Sequence, residues 1–187
     1  MRKIILIFTI VLPILLISCN ETQNVDSKIN EKEHTEKEEF TPSDESIYNL
    51  ESKWENQKAD TIQLKHFAGK PTIMAMIYTH CAFSCPLIVA DMKELQKLIP
   101  ENKRKDVNFL LISIDPDKDR PDTLTNFMKR EQLDQKYWTM LTGTETNIRE
   151  LAGVLGFKYK KSSMMDYAHS NLISVLNPKG EIAEQIN

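Results

Sequence analysis

The chain has 187 residues, of which 41% are hydrophobic and 27% are charged, and its formal net charge at pH 7 is −3. Residues 20–46 contribute −6 and the segment before them contributes +2, which leaves +1 for residues 47–187. A nearly neutral domain lacks the basic surface that nucleic-acid binding requires, so we predict no nucleic-acid partner. The 141 residues from 47 to 187 suit a single domain with its own core.

The N-terminus has the pattern of a bacterial export signal, which we assign to residues 1–18. A short basic start precedes an almost unbroken apolar run over residues 4–17. That run is shorter than the roughly 20 residues that a membrane-spanning helix needs. The ending Leu16-Ile17-Ser18-Cys19 resembles a bacterial lipobox, which implies cleavage before Cys19 and lipidation of its sulfur. An uncleaved membrane anchor is the alternative. Both place the folded part outside the cytoplasm, attached to a bacterial membrane.

Residues 19–46 are predicted to be an acidic, flexible linker. From residue 20 onward the segment holds nine acidic residues and three lysines and has almost no apolar side chains. Such a segment cannot bury enough surface to order itself. A flexible chain of this length reaches roughly 30 Å, so we expect it to act as a tether. His34, within the linker, is expected to be solvated.

The domain that follows starts with an α/β pattern. Residues 72–78 and 107–114 are continuous apolar runs, typical of strands that are buried on both faces. Pro100 ends a helix between them, whose apolar positions recur at helical spacing: Ile88, Met92, Leu95 and Ile99. A strand, a helix and a strand in this order predict a right-handed parallel crossover unit.

Two more helices and a hairpin complete the predicted domain. One helix starts near Pro121 and the next ends at Gly156, a natural C-cap. Residues 172–176 and 181–186 flank an Asn-Pro-Lys-Gly turn and predict a β-hairpin. The apolar faces of the two helices are Leu124, Phe127 and Met128, and Ile148, Leu151, Ala152 and Leu155. The whole order predicts an α/β, thioredoxin-like fold: a central mixed sheet flanked by helices, with a C-terminal hairpin.

Cys81 and Cys85 lie where the first predicted strand passes into the helix. They are the cysteines left after Cys19, and a disulfide between them would remove little unfolded-state entropy, so we expect a chemical role. Pro86 follows Cys85, and proline is tolerated only in the first turn of a helix, so Cys85 is predicted at the helix start and Cys81 in the loop before it. The positive end of the helix dipole favours thiolate there, which suits a nucleophile or a metal ligand.

The spacing of the two cysteines leaves two chemistries open. Residues four apart on a helix hold their Cβ atoms about 5–6 Å apart, whereas a disulfide requires roughly 3.5–4.5 Å. Two thiolates bound to one metal at about 2.3 Å tolerate the wider separation. Because Cys81 precedes the helix, the loop could still close the gap. The spacing therefore favours a metal site without excluding thiol-disulfide exchange.

His169 offers a third ligand. It precedes the final predicted hairpin, where thioredoxin-like oxidoreductases usually present a cis-proline to the active-site cysteines. The sequence Ala168-His169-Ser170-Asn171 contains no proline. An imidazole that faces the two thiols would complete a Cys2His set suited to copper or zinc. The alternative is a loop histidine that is exposed or hydrogen-bonded.

Three other side chains are weaker candidates for the same site. His80, beside Cys81, is expected to tune the loop or to point to solvent. Met164 and Met165, close to His169 in sequence, could offer a thioether to copper, although core packing is the more common use of methionine.

Four segments, in order along the chain, resemble the Sco/SenC family of copper-binding, thioredoxin-like assembly factors. The family's Cys-x3-Cys-Pro signature is matched by residues 78–86, and its Ser-x-Asp-Pro-x2-Asp-x-Pro segment by residues 113–121. Trp138-x2-Leu141-Thr142-Gly143 and His169-Ser170 then follow in the family's order. The resemblance covers residues 47–187, which is nearly the whole predicted domain.

The resemblance implies a copper ion held by Cys81, Cys85 and His169. It also implies copper delivery to, or thiol reduction of, the dinuclear copper centre in cytochrome c oxidase subunit II. Asp115 matches an acidic position near the site, where it hydrogen-bonds or orients a partner, with a plain Asp-Pro turn as the alternative. Asp119 is expected to serve the start of the helix at Pro121.

The sequence departs from the family pattern at three places. Ala82 stands where many members have proline, so the loop is expected to be looser. Ala168 replaces an acidic residue that often precedes the histidine, which removes one hydrogen-bond partner for the imidazole. The sequence stops at Asn187 without the terminal helix that usually follows the hairpin, so we expect either that the sequence is truncated or that one face of the sheet is less covered.

Three functions remain open at this point. An extracytoplasmic copper metallochaperone requires both cysteines and His169. A thiol-disulfide oxidoreductase that reduces the metal-ligand cysteines of a partner requires Cys81 and Cys85 alone, with His169 dispensable. A redox or copper sensor would use the same site without a delivery step. A peroxiredoxin is disfavoured because its Pro-x3-Thr-x2-Cys pattern is absent.

Overall fold

A computed structural model of the protein describes residues 41–163 and 166–187. The predicted signal peptide at residues 1–18, the lipidation site Cys19 and most of the predicted linker lie outside the described residues. The same holds for Met164 and Met165. Among the residues that are described, no helix is both long enough and apolar enough to cross a membrane.

The described residues form nine strands. In chain order these are β1 (Lys53–Asn56), β2 (Thr61–Gln63), β3 (Thr72–Ile77), β4 (Asn108–Ser113), β5 (Trp138–Thr142), β6 (Tyr159–Lys161), β7 (Tyr167–His169), β8 (Ile173–Leu176) and β9 (Ile182–Ile186). Seven of them build one mixed sheet in the order β2-β1-β5-β4-β3-β8-β9. The other two, β6 and β7, pair only with each other as a separate antiparallel hairpin.

Three helices complete the architecture: α1 (Ser84–Leu98), α2 (Pro121–Arg130) and α3 (Glu145–Leu155). Short 3-10 turns also occur at Ile47–Asn49, Leu64–Phe67 and Glu101–Asp106. The predicted end of α1 before Pro100, the start of α2 at Pro121 and the end of α3 at Gly156 are confirmed. Pro121 occupies the first turn of α2, the Thr144 hydroxyl accepts a hydrogen bond from the N–H of Asn147 at the start of α3, and Gly156 takes the left-handed conformation after its end.

The parallel strands β3, β4 and β5 form the centre of the sheet. All six residues of β3 are buried, as expected of a strand covered on both faces. It pairs in parallel with β4 and antiparallel with β8, so Ala75 lies opposite both Leu111 and Ile173. The predicted crossover unit, the C-terminal hairpin and the thioredoxin-like α/β plan are therefore confirmed.

Other strands were not predicted as such. β1, β2, β6 and β7 have only three or four residues each and expose many of their side chains, so they carry no continuous apolar run. Contacts of the folded unit also begin before residue 47, where the sequence analysis placed the domain boundary. The Ser46 hydroxyl donates to the carbonyl of Lys179 at 2.5 Å, and the N–H of Ile47 donates to the carbonyl of Gly180 at 3.0 Å.

Gly180 permits this contact between the N-terminal turn and the β8–β9 hairpin. Its φ of +80° lies in the left-handed region, and a Cβ atom at this position would stand 2.5 Å from the Tyr48 ring. We expect Gly180→Ala to lower the free energy of unfolding by about 2–3 kcal/mol, from backbone strain and overpacking together. Urea denaturation measures this change.

Gly153 provides the matched control for Gly180. It is exposed within α3, and a Cβ atom there would meet nothing within 4 Å. Gly153→Ala should therefore raise the free energy of unfolding by about 0.5–1 kcal/mol, since alanine is the better helix former. Equal effects of the two substitutions would contradict the packing described for Gly180.

Candidate metal centre

The structure brings three potential metal ligands together beyond the carboxyl end of β3: Cys81, Cys85 and His169. Cys81 lies in the loop that follows β3, Cys85 is the second residue of α1, and His169 is the last residue of β7. Their ligand atoms lie within 4.8 Å of one another, and this is the single group of potential metal ligands found among the described residues. The positions of Cys81 in the loop and Cys85 at the helix start are as predicted.

The distance between the His169 imidazole and the Cys85 thiol allows both to bind one metal ion. The Sγ atom of Cys85 lies 3.6 Å from Nε2 of His169. A metal with bonds near 2.3 Å to sulfur and 2.0 Å to nitrogen would hold these atoms about 3.5–3.7 Å apart in trigonal or tetrahedral geometry. The arrangement therefore needs little movement at this pair to accept an ion.

The tautomer of His169 is fixed by the backbone. Its Nδ1 lies 2.8 Å from the carbonyl oxygen of Ser170, and a carbonyl can only accept, so Nδ1 carries the proton. The lone pair of Nε2 is then directed towards the thiols, as a metal ligand requires. Phe157 stacks on the ring at a centroid distance of 6.0 Å and further restrains it. The side chain of Ala168 is exposed and cannot hydrogen-bond to the imidazole. The Ser170 carbonyl is the hydrogen-bond partner of Nδ1 instead.

The two thiols differ in their readiness to ionise. Burial alone would raise the pKa of Cys81, but hydrogen bonds from the Ser84 hydroxyl and from the N–H groups of Cys85 and Phe83 outweigh it and lower that pKa to about 5. Burial raises the pKa of Cys85 above the ordinary thiol range, and the neighbouring Cys81 adds to the increase. At neutral pH the site therefore holds one thiolate and one thiol.

Ser84 is a component that the sequence analysis missed. Its hydroxyl oxygen lies 3.5 Å from the Sγ atom of Cys81 and 3.1 Å from Nε2 of His169. One hydroxyl proton can serve only one of these two acceptors at a time. Ser84 therefore lies between the Cys81 thiol and the His169 imidazole, and its hydroxyl can donate a hydrogen bond to either of them. A serine between two cysteines gives no sequence signal for this role.

The expected role of Asp119 is wrong. Arg120 precedes α2 without any side-chain cap, and the Asp119 carboxylate turns inward instead. It accepts hydrogen bonds from the Thr79 N–H at 3.0 Å, the Thr79 hydroxyl at 2.5 Å and the Ser113 hydroxyl at 2.5 Å. Arg130 donates to the Thr79 carbonyl at 2.8 Å. Asp119 thus fixes the segment that leads into Cys81, because a buried carboxylate needs these donors.

Asp115 is fully buried and lies beside His80. Its Oδ2 is 3.2 Å from Nε2 of His80 and 3.7 Å from Nζ of Lys118, and neither carboxylate oxygen makes a hydrogen bond to a thiol. His80 is half-buried, and its ring packs edge-on against Tyr78 at a centroid distance of 5.0 Å. Asp115 therefore contacts His80, the residue before Cys81, and does not hydrogen-bond to the thiols themselves.

Comparisons with known proteins place these features in a family. A family model described as SCO1/SenC matches residues 43–187. The SCO1 protein homolog of Bacillus subtilis (strain 168) is 29% identical over 138 residues, which cover 72% of this chain and 70% of the relative.

Two solved structures have the same fold. The structure of Bradyrhizobium japonicum ScoI with copper bound is 25% identical, with a TM-score of 0.65 over 73% of this chain and 87% of that one. A SCO1/SenC family lipoprotein from Bacillus anthracis str. Ames is also 25% identical, with a TM-score of 0.66 over 72% of this chain and 81% of that one.

The low pKa of Cys81 predicts how its alkylation depends on pH. In the reduced, metal-free protein we expect Cys81 to react with iodoacetamide with a midpoint near pH 5, while Cys85 stays protected. Mass spectrometry of quenched samples resolves the two sites. Ser84→Ala removes a donor to the thiolate and should move the midpoint upward. A midpoint near the ordinary thiol value of 9.0 in the unaltered protein would contradict the assignment.

The same shift links stability to pH. Because the pKa of Cys81 is lower in the folded protein than in the unfolded chain, the folded state releases a proton that the unfolded chain retains. This contribution to stability is fully present above the unfolded value near 9.0 and is lost as the pH falls towards about 5.

Proposed function

The chain belongs to the SCO1/SenC family, and we propose that it is an extracytoplasmic copper metallochaperone for assembly of the copper centre of cytochrome c oxidase. The observation that carries this proposal is the convergence of Cys81, Cys85 and His169, whose ligand atoms lie within 4.8 Å of one another. The copper-bound ScoI of Bradyrhizobium japonicum, similar in sequence and fold, supports copper as the cargo.

The donor set fits copper on chemical grounds. Two thiolates and one imidazole are soft or borderline ligands, and soft thiolates select Cu(I) and zinc over hard cations such as magnesium or calcium. The site lies at the carboxyl end of β3, and both cysteines are buried, with Cys81 8% exposed against 0% for Cys85.

The three ligands have different parts in loading and release. Cys81 offers a thiolate at neutral pH, whereas Cys85 must lose its proton as the ion binds, so loading releases about one proton. His169 presents its Nε2 lone pair without any change of tautomer. Cys81 lies on a loop and His169 on a hairpin, so each can leave the ion, whereas Cys85 is fixed on α1. The ligands of a client can therefore replace those of this protein one at a time.

The client that we propose is cytochrome c oxidase subunit II or a protein with a similar copper centre. The lipobox at Cys19 and the acidic linker up to residue 46 would hold the domain near such a membrane-bound client. The lipoprotein of the same family from Bacillus anthracis supports this anchored arrangement. The protein would then act outside the cytoplasm at a bacterial membrane.

The unequal thiols also favour a second candidate function. A thiol-disulfide oxidoreductase needs one thiolate of low pKa that attacks the partner and a second thiol that resolves the mixed disulfide, and Cys81 and Cys85 match these two parts. In that reaction the Cys81 thiolate attacks a partner's disulfide, Cys85 then attacks Cys81, and the partner leaves as a dithiol. The oxidised pair can no longer bind copper through thiolates.

An anaerobic copper titration tests the proposed site. The reduced domain should bind one Cu(I) per chain, with absorption from thiolate-to-copper charge transfer. Cys81→Ser and Cys85→Ser should each abolish stable binding, and His169→Ala should weaken it by about tenfold or more, at least as much as the loss of a supporting contact at a metal site. His66→Ala, on a different part of the fold, is the control and should bind as the unaltered protein does. Full stoichiometry in either cysteine variant would contradict the site.

A reductase assay separates the two candidate functions. His169→Ala keeps both thiols, so it should still reduce a model disulfide at a rate within about twofold of the unaltered protein while its copper binding falls. The assay follows thiol release from a peptide that carries two disulfide-bonded cysteines. If copper binding were indifferent to His169 while disulfide reduction was fast, the oxidoreductase function would replace the metallochaperone.

A further inference from the structure

Tyr78 joins the two halves of the candidate metal centre. It follows β3 directly, and its side chain is only 2% exposed. The carbonyl of Tyr78 accepts a hydrogen bond from the Cys81 N–H at 3.3 Å. Its hydroxyl, at the other end of the residue, donates to the carboxylate of Asp166, the residue before β7. One residue therefore contacts both the loop of the thiols and the hairpin of the imidazole.

The hairpin depends on such contacts because it is small and lies outside the main sheet. β6 and β7 pair over three residues each, and His169 pairs with Tyr159 at their open end. A two-stranded hairpin is at best marginally stable by itself in water. One further link to the body of the domain is the ion pair of Lys161 with Asp117 at 3.4 Å, which is solvent-exposed and so contributes little.

The hydroxyl of Tyr78 restrains the strand that ends in His169. Besides donating to Asp166, it lies 3.4 Å from the N–H of Tyr167, which also donates to the Asp166 carboxylate at 2.9 Å. The Tyr78 ring packs against the ring of Tyr167 and edge-on against that of His169, at centroid distances of 5.3 and 5.7 Å. A hydrogen bond to a carboxylate is among the stronger kinds in proteins.

We propose that Tyr78 is a positioning residue for copper exchange: its hydrogen bond to Asp166 holds the β6–β7 hairpin closed and keeps His169 over the two thiols. When this bond opens, His169 withdraws from the ion, and copper remains on Cys81 and Cys85, open to the ligands of a client. The inference deepens the proposed function and rests on it, since it assigns the step that limits how fast copper leaves.

Tyr78→Phe tests the proposal because it removes the hydroxyl and keeps the buried ring. In the reduced, metal-free protein, amide hydrogen exchange of the hairpin residues should become about tenfold faster, since loss of a hydrogen bond to a charged group shifts an open–closed equilibrium by that order. Amides of β3 and β4 should exchange as before. In the copper-loaded protein, a competing Cu(I) chelator should remove copper about tenfold faster, with one ion per chain still bound at the start.

Matched variants separate this role from a general loss of stability. Tyr159→Phe removes a hydroxyl from the same hairpin without touching Asp166, so both rates should stay within about twofold of the unaltered protein. Asp166→Ala alters an exposed residue and should reproduce Tyr78→Phe, and the double variant should be no faster than either single one. In a His169→Ala background, Tyr78→Phe should change copper removal by less than about twofold, because the hydroxyl acts through the imidazole.

Each outcome decides a separate question. Unchanged hairpin exchange in Tyr78→Phe, or additive effects of Tyr78→Phe and Asp166→Ala, would overturn the proposal. So would faster hairpin exchange with an unchanged rate of copper removal, because Tyr78 would then be structural only. If the unaltered protein bound no copper, the proposed function would fail, and the hydrogen-exchange comparison would still decide whether Tyr78 holds the hairpin closed.

Discussion

The buried carboxylate of Asp119 is the constraint on which the rest of the site depends. It ties Thr79, just after β3, to Ser113, the last residue of β4, so the carboxyl ends of two parallel strands are linked through one side chain. A carboxylate without exposure to solvent is tolerated only where donors surround it, and these donors fix the backbone two residues before Cys81. The thiol loop therefore starts from a rigid point.

The three ligands lie on elements that differ in how firmly they are held by the rest of the fold. Cys85 is part of α1, Cys81 lies in the loop between the Asp119 anchor and the helix, and His169 sits on a short hairpin apart from the main sheet. This order suits a protein that must both hold an ion and give it up, because tight fixation of all three ligands would slow release. When no ion is present, the same arrangement leaves the two thiols able to exchange disulfides. One geometry of the site therefore suits both candidate functions.

The sequence predicted the elements whose signals are local. The continuous apolar runs of β3 and β4, the start of α2 at Pro121 and the Gly156 C-cap of α3 depend on near neighbours, and all were placed correctly. The missed features depend on contacts between distant residues. Asp119 was assigned to α2 because Pro121 is near in sequence, whereas its partner Thr79 is 40 residues away. Ser84 and Tyr78 likewise gain their roles only when β7 folds over the thiol loop.

We propose that one copper ion is bound by two sulfurs and one imidazole nitrogen. X-ray absorption at the copper edge of the reduced, copper-loaded protein tests it most directly. We expect two sulfur scatterers at about 2.3 Å and one imidazole at about 2.0 Å, with the imidazole signal absent in His169→Ala. A spectrum with no histidine contribution in the unaltered protein, or with only oxygen and nitrogen ligands, would contradict it.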